Sequence, residues 1–144
     1  MSPKKKKFTM TIPSHPEQIQ VVEQKAENLS KKIPFSPDER DSLAIAITEV
    51  VANAIFHGNK EAKDKKIFIT FIVDDTSLEV RVRDQGGGFQ LDQVANPLHP
   101  ENLLKDSGRG IFIIRTLMDK VEYKFHKDGT EVIMVKSHDP SSEN

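Results

Sequence analysis

The sequence contains no cysteine, which excludes disulfides and thiolate metal sites. It has no uninterrupted apolar run approaching the length of a membrane span. A secretory leader is not expected either: Lys4 to Lys7 precede "FTMTIPSHPE", which is too short and too polar for a signal-peptide apolar region. An excess of one sign of charge is also missing. The formal net charge is −1, from 21 basic and 22 acidic residues. A dedicated nucleic-acid binder gains its affinity by neutralising phosphates, so this balance argues against that class. No Walker phosphate-loop sequence occurs. These absences lead to the expectation of a soluble, cytoplasmic protein with no direct nucleic-acid or membrane partner. The lysine run reads as a solvated tail, with contact to an acidic partner as the other reading.

What the sequence does have is periodicity. Its 144 residues are 36% hydrophobic, and the apolar positions fall in regular blocks, as in one folded domain with its own core. Phe8, Met10 and Ile12 alternate with polar residues and predict a short strand. "SHPE" reads as a helix start, with Ser14 as N-cap and Glu17 completing a capping box. Ile19, Val22, Ala26, Leu29 and Ile33 then mark one helical face, and Pro34 ends it. "SPDE" repeats the signal, with Ser36 as cap, Pro37 at the first helical position and Glu39 three residues on. This second helix is expected from about Pro37 to His57, with Gly58 as its stop.

"NKEAKDKK" is a charged loop. "KIFITFIV" fits a central strand, and in "LEVRVRD" Leu78, Val80 and Val82 point one way while Glu79, Arg81 and Arg83 point the other. "QGGGF" breaks that strand. Gln90 to Ser107 carry no strong periodicity, and so long a loop in a small domain is usually functional. "GRGIFIIRTLMDK" restores helical order, and "VEYKF" and "TEVIMV" are strands around the turn "HKDG". The order predicts a two-layer α+β sandwich, with helices on one face of a mixed, mostly antiparallel sheet. It is not βαβ alternation. The domain is expected over 8–136, with flexible tails at 1–7 and 137–144.

Three features carry chemistry. In "ITEVVANAIFHGN" the apolar stripe is interrupted by Glu49 and Asn53, which share one helical stripe at i, i+4 spacing. An unpaired buried carboxylate is costly, so that stripe either lines a polar cleft or faces solvent. In "DQGGG", Asp84 lies at the end of a strand before Gly86, Gly87 and Gly88. A carboxylate there can accept from an exocyclic amine such as that of adenine, and glycines permit close backbone approach; a flexible hairpin turn is the alternative. In "SGRG", Gly108 and Gly110 precede a helix start, where free amides attract anions, and Arg109 adds charge. A loop with a glycine hinge would read the same way.

In order, the three features read E-x-x-x-N, D-x-G-x-G at a strand end, and G-x-G opening a helix. This pattern resembles the ATP-binding superfamily of DNA gyrase, heat-shock chaperones, histidine kinases and mismatch-repair ATPases. Within it the likeness is closest to the small anti-sigma factor serine/threonine kinases. The residues that carry the likeness are "EVVANAIFHGN", "VRDQGGGF", "SGRGIFIIRTLMDKVEY" and "DGTEVIMV", within a span from roughly Phe8 to Lys136. The resemblance implies a Bergerat-type ATP-binding fold with ATP and Mg2+ as cofactors. It implies that Asn53 ligates Mg2+, that Glu49 is the general base for an attacking serine hydroxyl, and that Asp84 recognises the adenine amino group with support from the Thr130 hydroxyl. Gly86 and Gly88 let the chain pass close to the nucleotide, Gly108 and Gly110 present amides to the phosphates, and residues from about Asn96 to Ser107 form a lid. Lys105 and Arg109 are the cations that meet the γ-phosphate. His57 reads as a helix-end residue.

The implied function is an ATP-dependent anti-sigma factor with protein-serine kinase activity, which binds a sigma factor and phosphorylates an anti-anti-sigma antagonist. A homodimer through the sheet side near the N-terminal strand is implied as well. An ATP-binding module that sequesters its partner without kinase activity is the alternative, and a detached histidine-kinase catalytic domain is a third reading.

Overall fold

The computed structural model describes residues 5–59, 62, 64–86 and 106–142, with the backbone alone at 106–111 and 142. Strict alternation builds its sheet. In β1 (Lys6–Pro13), Phe8, Met10 and Ile12 turn towards the interior and the exposed Lys7, Thr9 and Thr11 away from it. β2 (Lys66–Val73) buries Ile67, Ile69 and Phe71, and β3 (Ser77–Arg83) buries Leu78, Val80 and Val82. The turn between them is held by Asp74, whose Oδ1 accepts from the N–H groups of Thr76 and Ser77. Register keeps the apolar rows on one face: Ile12 lies opposite Ile67, Ile69 opposite Val82, and Phe71 opposite Val80.

β4 (Lys120–His126) and β5 (Gly129–Ser137) form a hairpin turned by Lys127 and Asp128, and β5 pairs with β3. The strand order is β1-β2-β3-β5-β4, with every pairing antiparallel. Helices α1 (Gln18–Leu29), α2 (Pro37–Asn53) and α3 (Asp106–Leu117) make the second layer. Val22 and Ala26 of α1, Ile47, Val50 and Val51 of α2, and Ile114 of α3 join the buried strand residues in one core. The protein is therefore a two-layer α+β sandwich. β-Branched residues cost a helix roughly half a kcal/mol each, whereas full burial of each contributes roughly 1.5–3 kcal/mol, so tertiary packing decides the conformation of α2. No helix among the described residues is long and apolar enough to cross a membrane.

The second helix begins as its sequence predicts. Ser36 Oγ accepts from the Glu39 N–H at 3.1 Å, and Glu39 Oε1 accepts from the Ser36 N–H at 2.8 Å. Its far end differs: α-helical geometry stops at Asn53, and Ala54–Gly58 form one π turn. Gly58 is not a left-handed stop, since Gly129 is the glycine with positive φ among the described residues.

The first helix begins later than expected. Glu17, not Ser14, occupies its N-cap, without a side-chain cap hydrogen bond. Ser14 is fully buried and is engaged elsewhere, donating to Lys65 O at 2.8 Å and accepting from Asn59 Nδ2 at 2.7 Å. The helix also ends at Leu29, and Ile33 is buried from a following turn.

The chain beyond β5 is not a free tail where it is described. Glu39, 6% exposed, accepts from the Asp139 N–H at 2.8 Å and pairs with His138 Nδ1 at 2.8 Å. The His138 N–H donates to Thr76 O. Burial pushes the Glu39 carboxyl up, but the Ser36 N–H, His138 and the Asp139 N–H together hold it down to about 2.

Candidate nucleotide site

Asp84 is the first residue past β3 and is 5% exposed. Its Oδ1 accepts from the Gly86 N–H at 2.9 Å and the Thr130 N–H at 3.0 Å, and its own N–H donates to Thr130 O at 3.0 Å. The carboxylate is thus fixed between the end of β3 and the start of β5. Its other oxygen, Oδ2, has no hydrogen-bond partner among the described residues.

Two glycines make room for this placement. A Cβ at Gly58 would overlap Asp84 Oδ2, and one at Gly129 (φ +154°) would overlap the Asp84 carbonyl oxygen. The π turn therefore delivers Gly58 directly against the carboxylate. Burial pushes the Asp84 carboxyl above its ordinary range, offset in part by the Gly86 and Thr130 amides and by the charges of Lys65 and Arg83.

Thr130 Oγ1 is buried with no partner. A buried hydroxyl left unpaired costs on the order of 1–3 kcal/mol, so this atom calls for a ligand or a water. An unengaged carboxylate oxygen on Asp84 and an orphaned hydroxyl on Thr130, whose amide binds the same carboxylate, suit the edge of adenine, which offers an amino donor next to a ring-nitrogen acceptor. The residues present therefore suit an adenine nucleotide.

Glu49 and Asn53 are half-buried on one stripe of α2, flanked by the buried Ala46 and Val50. Neither side chain has a hydrogen-bond partner among the described residues. Asn53 is the last α-helical residue before the π turn, and π turns inside α-helices recur at functional sites. No group of three or more His, Cys, Asp or Glu that could hold a metal occurs among the described residues. An Asn oxygen suits Mg2+, which keeps most of its waters and needs few protein ligands.

Gly108 and Gly110 do not precede the third helix. Gly108 lies in the first turn of α3, which starts at Asp106, and Gly110 in the next. By α-helical geometry the Gly108 amide is among the free N-terminal donors, whereas the Gly110 amide is committed within the helix. Arg109 shares the first turn, and only its backbone is described. Gly88, Lys105 and the expected lid (Asn96 to Ser107) as far as Lys105 lie outside the described residues, and the last two residues of that span, Asp106 and Ser107, open α3 instead. His57 is exposed at the end of the π turn.

Asn59 has a part that the sequence did not disclose. It is 1% exposed, donates from Nδ2 to Ser14 Oγ at 2.7 Å and Lys66 O at 2.9 Å, and accepts the Gln85 N–H on Oδ1 at 2.6 Å. One amide thus joins the end of the π turn, the residue after β1, the start of β2 and the residue after Asp84. A polar residue following a helix-ending glycine reads as loop, and no local signal marks it as buried.

A two-layer sandwich with a fixed buried carboxylate and, among the described residues, an unpaired buried hydroxyl and an unpartnered Glu–Asn stripe suits a nucleotide-binding domain. The chain belongs to the histidine kinase-like ATPase domain family, whose model matches residues 12–136, and it is accordingly an ATP-binding domain. It is 32% identical to the serine-protein kinase RsbW of Bacillus subtilis over 133 residues, 88% of this chain and 82% of that protein. It is 29% identical to the RsbW of Listeria monocytogenes over 136 residues, 90% of this chain and 86% of that protein. Among solved structures, it matches the RsbU and RsbW domains of a Mycobacterium tuberculosis protein with a TM-score of 0.64 at 16% identity, over 92% of this chain and 32% of that one. The histidine kinase domain of a blue-light activated kinase from Erythrobacter litoralis matches with a TM-score of 0.57 at 17% identity, over 88% of this chain and 61% of that one. These two likenesses are of fold.

Proposed function

We propose that the protein is an anti-sigma factor with protein-serine kinase activity, which binds a sigma factor and phosphorylates an anti-anti-sigma antagonist at the expense of ATP. The observation that carries this reading is the pair Glu49 and Asn53, half-buried on one stripe with no hydrogen-bond partner among the described residues. A module that only sequesters needs no carboxylate at that position. The identity to RsbW kinases over most of the chain supports the same reading.

Bound ATP would supply the phosphoryl group, and Mg2+, which the Asn53 side-chain oxygen would hold, would neutralise charge on its phosphates. Asp84 Oδ2 and the Thr130 hydroxyl hold the adenine edge, and Gly86 and Gly88 let the backbone approach it. The Gly108 amide and Arg109, with Lys105 from the lid, would meet the phosphates, where charge stabilisation matters more than covalent help. Glu49 accepts the proton of the serine hydroxyl as its oxygen attacks. Phosphorylation of the antagonist would break its complex with the kinase and return the kinase to the sigma factor, a partner switch. The protein acts in the cytoplasm as a homodimer, without direct contact to nucleic acid or membrane.

Incubation of the purified protein with ATP, Mg2+ and the antagonist should yield phosphoserine, and Glu49→Ala should lower turnover at least a hundredfold while ATP binding persists. If the wild-type chain binds ATP and transfers nothing, the sequestering module is the correct reading. Phosphate on histidine would instead favour the histidine-kinase reading.

A further inference from the structure

The outward side of α2 carries more than Glu49. Ile45 lies one turn before it and is 49% exposed, and Phe56, in the π turn beyond it, is 40% exposed. With Glu49 and Ala52 they follow a spacing of four, three and four residues, so all four share one side of the helix. Large apolar side chains exposed singly are ordinary. Two of them on the same stripe as the proposed general base are placed where the acceptor protein has to approach.

We infer that Ile45 and Phe56 are acceptor-specificity residues: each receives an apolar side chain of the protein substrate, on either side of the serine whose hydroxyl meets Glu49. The inference rests on the kinase reading and adds to it the class of segment the site takes. Along the helix axis, Ile45 stands about 6 Å and Phe56 roughly 10 Å from Glu49. An extended chain advances about 3.3 Å per residue, so the matching side chains lie about two residues from the serine on one side and about three on the other. A charged residue at either place would leave one apolar surface uncovered and desolvate a charge, which is how such a site rejects the wrong segment.

The test uses the antagonist protein that the wild-type chain phosphorylates. Ile45→Asp and Phe56→Asp should each raise KM for the antagonist at least tenfold and leave ATP affinity and the thermal midpoint unchanged, because both side chains are exposed. Ile45→Leu and Phe56→Leu should restore KM to within about threefold of wild type. If both Asp variants keep the wild-type KM for the antagonist, the inference is wrong while the kinase reading stands. A change in association state with KM unaltered would assign the stripe to a second copy of the chain, and would equally overturn it. If the wild-type chain binds ATP but transfers no phosphate, the kinase reading fails and takes this inference with it.

Discussion

At the scale of single residues, the site turns on Asp84 and Thr130. Asp84→Asn keeps an oxygen for the Gly86 and Thr130 amides but replaces Oδ2 with a donor, which would face the amino group of adenine. ATP affinity should fall at least tenfold with little loss of fold, a result that calorimetry would show directly. The same carboxylate predicts a pH dependence. Burial raises its pKa in the folded protein, so protonation is favoured there relative to the unfolded chain. As pH falls through that raised value, the acceptor becomes neutral and ATP binding should weaken earlier than an ordinary carboxylate would dictate, while the ligand-free fold loses nothing from this group. Titrating the ATP dissociation constant between pH 7 and pH 4.5 for wild type and Asp84→Asn checks the sign, since the variant should lack that pH dependence. Thr130→Val removes the orphaned hydroxyl while nearly keeping its shape. It should cost about 1 kcal/mol of ATP affinity and leave unfolding stability equal or slightly higher, because the atom it deletes has no partner without ligand.

At the scale of elements, α2 is fixed at both ends by contacts distant in sequence. Its N-terminal carboxylate, Glu39, closes the capping box and also holds His138 and the Asp139 amide. Glu39→Ala should destabilise the fold by about 2–4 kcal/mol, more than loss of a cap alone, because it also leaves buried donors unpaired. The folded pKa of Glu39 is depressed to about 2 from its ordinary value of 4.5. Its contribution is therefore complete above about pH 4.5 and is lost as pH falls towards 2. Urea unfolding at pH 7 and pH 3 should show wild type and Glu39→Ala converging at the lower pH. Removing His138 and Asp139 should cost less in the Glu39→Ala background than in wild type, because the two changes share the contacts of Glu39 with His138 and the Asp139 amide.

Much of this layer was legible in the sequence. Strand alternation, the Ser36–Glu39 capping box and the hairpin turned by Lys127 and Asp128 are local patterns with local causes. The misread elements share a different cause. Ser14 has the chemistry of a cap, yet a partner 45 residues away, Asn59, and the carbonyl of Lys65 claim its hydroxyl. Gly58 looks like a helix stop, but its requirement comes from Asp84, which no window around Gly58 contains. The residues after β5 are polar enough to read as disordered, and contacts distant in sequence, with Glu39 and the Thr76 carbonyl, show why they are held. Of the candidate site, Asp84 and the Glu49–Asn53 stripe stand out as polar residues in apolar surroundings. Asn59 does not, because its neighbours are already polar.

At the scale of the whole molecule, the sheet has one face under the helices and one face open. Phe68, 41% exposed, stands on the open face between Thr11 of β1 and Arg83 of β3. The proposed homodimer, formed through the sheet side near β1, would cover this region. Multi-angle light scattering should give twice the chain mass at micromolar concentration, and Phe68→Asp should shift the mass towards the monomer without altering ATP affinity. A monomer for the wild-type chain at high concentration would refute the dimer.

The link between Glu39 and residues 138 and 139 also fixes an order of events during synthesis. A ribosome makes α2 about a hundred residues before it makes His138, at several residues per second. Throughout that interval Glu39 has its capping partner but not its distant ones, so the start of α2 stays wet and its final desolvation waits on a segment still to be translated. Completion of this domain is therefore coupled to residues beyond its last strand, and a chain ending at Ser137 and released from the ribosome would carry all the strand residues of the sheet with an unsealed second helix.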